Sequence, residues 1–230
     1  MRANRLNFVL IQDVTIEIVN SPLPLLFAIP LLLSSCQSAY YAGMETLGHE
    51  KRNILVSRVS TAKESQLEAK DQFSVTRDEF VAVTGYKGNE LESRYRSLEK
   101  SYVRARSRAD DVKLRNYNVE KTGRALFAEW EKEINEYQDP ALKADSERKL
   151  YNSKVRLTNL TMTMRRAEAR LDPVLAQFRD QLLYLKHNLN AQAMVTLRGR
   201  ASKLDQEVNL LIRDLERSVA DSEAFIREMQ

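Results

Sequence analysis

The sequence predicts an all-α protein, an elongated antiparallel four-helix bundle or a pair of coiled-coil hairpins. Three observations predict it: turn-forming residues are scarce, apolar residues recur with heptad spacing, and turn signals fall where that spacing breaks. The chain has 230 residues, 43% of them hydrophobic and 30% charged, with 6 Gly and 5 Pro. Pro22, Pro24 and Pro30 precede residue 36, so very few helix breakers remain for the body. A β-sandwich or a doubly wound α/β domain needs turn signals every dozen residues or so, and these are missing.

The first stripe runs Leu55, Val59, Ala62, Gln66, Ala69, Phe73, Thr76, Phe80, Val83, alternating steps of four and three. Gln66 and Thr76 are its polar interruptions. Residues 84–89, TGYKGN, carry two glycines and an asparagine and predict a turn. The second stripe runs from Leu91 through Tyr95, Leu98, Tyr102, Ala105, Ala109, Val112, Asn116, Val119, Gly123, Leu126 and Trp130, then slips by one to Ile134 and Tyr137. Asp139-Pro140 closes it and opens the next helix, with Asp139 as N-cap and Pro140 at the first helical position.

The third stripe reads Leu150, Ser153, Leu157, Leu160, Met164, Ala167, Leu171, Leu175, Phe178, Leu182, Leu185, Leu189. Its phase holds through Pro173, which predicts a kink or local break within one long rod. The fourth stripe reads Met194, Leu197, Ala201, Leu204, Val208, Leu211, Leu215, Ser218, Ser222, Phe225, Met229. The five-residue step from Leu189 to Met194, with Asn188 and Asn190 as C-cap and N-cap residues, places the last turn. Helices of roughly 40, 48, 48 and 38 residues follow, joined by short connections that force antiparallel neighbours.

The first 36 residues read as an address. SPLPLLFAIPLLLSSC (21–36) is too short to span a bilayer and suits the apolar core of a secretory signal. Leu33-Ser34-Ser35-Cys36 resembles the lipobox of bacterial lipoproteins, which implies that Cys36 is acylated and begins the mature chain. Gln37 in the next position implies sorting to the outer membrane of a Gram-negative cell. Asp13 and Glu17 depart from the usual signal pattern, and translation from a later start would remove them. The expected organisation is a signal peptide at 1–35, a tether at 36–50 and a helical domain at 51–230. The protein would sit at the periplasmic face of the outer membrane, held by its lipid.

Chemistry is sparsely provided. One cysteine excludes an internal disulfide, and the two histidines, His49 and His187, offer no metal-ligand spacing. No phosphate loop, nucleophile elbow or Cys-His arrangement appears. Neither enzyme activity nor a cofactor or metal is expected. Residues 94–124 hold ten bases against four acids, but on a heptad the bases surround the helix. That arrangement reads as a solvated face paired with neighbouring acids; the alternative is a surface for a polyanion, nucleic acid or anionic lipid, of which nucleic acid is the less expected. Asn116 reads as a register-setting polar residue, and Tyr95, Tyr102 and Trp130 as packing with polar tips to satisfy. The most unusual segment is 184–192, where Tyr184, His187, Asn188, Asn190 and Gln192 crowd a turn. Capping explains much of it, and these five are the candidates for recognising a protein partner.

DQLLYLKHNLNAQA (180–193), the opening CQSAYY, the following KRNILVSRV and the central AEWEKEINEY together resemble a family of helical lipoproteins of marine and enteric proteobacteria, a domain of unknown function. The similarity covers roughly residues 36–228. It implies an exported lipoprotein with a helical body and brings no catalytic residues. The function expected is a lipid-anchored rod that acts as a spacer or docking module for an unidentified protein, with self-association compatible with its stripes.

Overall fold

The computed structural model describes residues 51–86 and 90–229, all within one compact unit. They form four helices: α1 Lys51–Gly85, α2 Leu91–Ile134, α3 Pro140–His187 and α4 Ala191–Met229. The long, uninterrupted heptad stripes are the reason, since each helix hides one apolar seam only by packing against others. Neighbours form a ring in which α1 packs on α2 and α4, and α3 packs on α2 and α4. Cross-links between helices fix the directions. Ser97 donates to Glu79 and Arg108 meets Glu68 across α1–α2, Arg165 meets Glu120 and Lys154 meets Glu131 across α2–α3, and Lys63–Glu223 and Arg77–Asp205 join α1 to α4. Each pairing runs antiparallel, as an up-down-up-down bundle requires.

All nine positions of the first stripe are buried, and so are most of the other three. Two stripe residues depart from expectation. Tyr137 is 44% exposed, because α2 ends at Ile134 and the chain turns away through Asn135. Leu189 is 38% exposed, because α3 ends at His187 and the leucine sits in the turn. In the last turns of α2 the seam shifts by one residue, so Phe127 is buried where Leu126 is only half-buried.

The boundaries have local causes. Asp139 is extended, and its Oδ1 accepts from the backbone N–H groups of Ala141 (2.7 Å) and Leu142 (3.3 Å), with proline next in line. Asn190 does the same for α4, accepting from Ala193 N–H at 2.9 Å. Pro173 does not break α3, which continues through it to His187. It cannot bond to the carbonyl of Ala169, but both residues lie on the exposed face, where water can take that carbonyl.

The core is divided. One apolar cluster joins Phe73, Phe80, Leu98, Leu171, Phe178, Leu185, Leu197 and Leu211; the other joins Leu55, Val59, Phe127, Leu157, Leu160 and Phe225. Between them lies a polar level. Gln66 Nε2 donates to Asn116 Oδ1 (3.1 Å), and Asn116 Nδ2 donates to Glu168 Oε2 (3.0 Å). Ser218 of α4 falls at the same height, so all four helices contribute a polar side chain there. Gln66 Oε1 and Ser218 Oγ are buried and find no partner among the described residues.

Candidate functional site

The segment 184–192 lies at the end of the bundle opposite the start of α1. Capping absorbs two of its polar residues. Asn188 Nδ2 donates to the carbonyl of Tyr184 at 2.9 Å and its N–H bonds back to Leu185, while Asn190 caps α4. Tyr184, His187 and Gln192 remain exposed, and their side chains make no hydrogen bond among the described residues. The structure brings these three together at one turn. Sequence reasoning missed the apolar residues around them: Leu183 is 52% exposed and Val195 60% exposed, beside the displaced Leu189. The five-residue step from Leu189 to Met194, where the stripe loses phase, was the available signal. Arg198 Nη2 donates to the carbonyl of Thr84 at 3.1 Å and ties the start of α4 to the end of α1.

Cys36 and His49 lie outside the described residues, as do the segments 1–35 and 36–50 expected to be a signal peptide and a tether. Among the described residues no helix is long and apolar enough to cross a membrane, and no cluster of His, Cys, Asp and Glu could hold a metal ion.

The basic stretch on α2 divides in two. Arg96, Arg108, Lys113 and Arg124 meet Glu92, Glu68, Asp172 and Glu120, and Arg94 lies over the Tyr86 ring at 5.4 Å. Lys100, Arg104, Arg106, Arg115 and Lys121 make no ion pair among the described residues. Lys100, Arg104 and Lys121 share an outward face with Val103, Leu114 and Tyr117, each apolar residue more than half exposed.

Two of the three aromatic seam residues, Tyr95 and Trp130, have satisfied tips. Tyr95 donates its hydroxyl to Glu99 at 3.0 Å, and Trp130 Nε1 donates to Ser146 Oγ at 2.9 Å. Burial, and then the carboxylate of Glu99, pushes the Tyr95 hydroxyl above the usual phenol range. A strongly held acid lies in the groove between α2 and α3, Glu120. It accepts from Arg165 Nε and Nη2, both at 2.6 Å, and those hydrogen bonds hold its carboxyl below the usual glutamate range against the opposing effect of burial. This is ion-pair architecture between helices.

No curated protein and no solved structure matches the chain. The model of the family described as "Protein of unknown function (DUF2959)" matches residues 40–229, nearly all of the helical body, and the chain belongs to that family.

Proposed function

We propose that this protein is a lipoprotein of the outer membrane's periplasmic face, whose helical bundle acts as a spacer and presents a protein-docking surface at its far end. One observation carries the reading: the start of α1 and the turn holding Tyr184, His187 and Gln192 lie at opposite ends of the bundle. Cys36 precedes α1 by the fourteen residues 37–50. An acylated Cys36 would therefore moor the near end and leave the exposed turn about 50–60 Å from the start of α1, the length of α1 or α4. Each buried methylene of the acyl chains contributes about 0.8 kcal/mol to membrane attachment, so several chains hold the protein without help from the bundle. An all-helical body fits a role in placement rather than catalysis.

Mass spectrometry of the purified amino terminus should find an acylated Cys36, and Cys36→Ser should move the protein out of the membrane fraction. Unchanged fractionation of that variant sinks the anchor. A photo-crosslinker at position 187 or 192 in intact cells should capture a protein partner, whereas one at exposed Arg52 near the moored end should not. Equal capture from both ends removes the docking assignment.

A second reading, binding of a polyanion along α2, is favoured by the unpaired Lys100, Arg104 and Lys121 beside exposed Val103, Leu114 and Tyr117. Affinity for anionic vesicles would then fall steeply between low and moderate salt. Binding that ignores salt excludes it.

A further inference from the structure

Along the α3–α4 boundary, opposite charges stand level with each other at two heights. Arg156 Nε lies 3.0 Å from Glu228 Oε2, and Arg170 pairs with Asp214. The antiparallel register fixed by these pairs brings Arg166 level with Arg217 between them. Both are exposed, and neither makes an ion pair or hydrogen bond among the described residues. Arginine facing arginine across a helix boundary is repulsive, whereas the same boundary pairs arginine with acid above and below.

These two arginines stand over a groove of about 440 Å³, within the size range of small-molecule sites. Its apolar lining is Leu160, Phe225 and Ala224, the first two buried, with Met162 57% exposed; Asn159 and Thr163 lie among them. Arg156, Arg166 and Arg217 line it against Asp221 and Glu228, a balance of one positive charge. Glu228 is engaged by Arg156; Asp221, one helical turn from Arg217, has no ion-pair partner among the described residues. Guanidinium groups bind carboxylates through paired N–H donors, and the apolar lining calls for a hydrocarbon. The single excess charge and the nearby Asp221 disfavour a head group with two negative charges.

We propose that this groove binds an unesterified single-chain amphiphile with one carboxylate, its head between Arg166 and Arg217 and its chain along the apolar lining toward Met162 and Phe225. The inference goes beyond the anchoring and docking reading and does not depend on it. The probe is a diazirine-bearing dodecanoate applied to the purified full chain, with labelled sites mapped by mass spectrometry. Labelling should fall on the groove segments of α3 and α4, and dodecanoate should compete for it where acetate and dodecyl maltoside do not. Combining Arg166→Gln with Arg217→Gln should cut labelling at least tenfold. Asp221→Asn should raise it, since it removes a repelling charge; this opposite sign keeps the test decisive even if the double variant folds poorly. Arg200→Gln with Lys203→Gln, exposed on α4 and outside the groove, should leave it unchanged. Labelling elsewhere on the bundle, labelling indifferent to both groove variants, or equal competition by acetate or the maltoside overturns the proposal.

Discussion

Glu120 shows how one residue can set a pH response. Its carboxyl titrates lower in the folded protein than in an open chain, chiefly through the hydrogen bonds from Arg165. The stability it contributes is therefore present at neutral pH and is lost as pH falls through its folded range, starting below about pH 5. Glu120→Gln should lower the melting temperature at pH 7 and flatten its decline between about pH 5 and pH 3, read by thermal unfolding across that range. Gly123 makes a different demand. A Cβ placed there would run into the tip of the Leu157 side chain of α3, so the glycine leaves room for that methyl. Gly123→Val should cost about 1–3 kcal/mol in denaturant unfolding, because Leu157, buried in the core, must leave its rotamer to make room. Its place on the second stripe is legible in the sequence. Its reason is not, because the partner Leu157 lies 34 residues on and meets it only through the α2–α3 register.

Among the elements, α3 is the clearest case of local signals deciding a long structure. Its start is written in Asp139-Pro140, and Asp139→Ala should cost about 1 kcal/mol of stability through the lost cap, measurable by chemical denaturation. Its continuation through Pro173 follows from the unbroken apolar phase on either side of the proline. Its end is harder to read. Leu189 keeps the phase of the stripe, but Asn188 turns the chain one residue earlier, and a side chain expected in the core stands in solvent. Periodicity says which face a helix would bury and cannot say where burial stops. For the same reason the facing of Arg166 and Arg217 was invisible in sequence: each looks like an ordinary exposed base on its own helix, and only the α3–α4 register sets one against the other.

Across the whole molecule, the polar level at Gln66, Asn116, Glu168 and Ser218 matters most. Gln66 and Asn116 are visible as interruptions of two stripes, yet their meeting is a property of the assembled bundle. Asn116→Leu should destabilise by about 1–3 kcal/mol because it strands the Gln66 amide in the core, and Gln66→Leu with Asn116→Leu should recover much of that loss. The level also separates unequal apolar clusters, twelve buried residues on the side where α1 begins and twenty-three on the side of the α3–α4 turn. The single tryptophan, Trp130, packs against the smaller cluster. Tryptophan fluorescence should therefore change at lower denaturant than helical circular dichroism, and coincident transitions would show that the two halves unfold as one.

That asymmetry bears on how the protein would behave under load. Residues 51 and 229 leave the bundle at the same end, so tension on an anchored chain would peel the smaller half first and pay out slack there. Under the proposed docking, the larger half, with Tyr184, His187 and Gln192 on its tip, would stay folded while the smaller one opens.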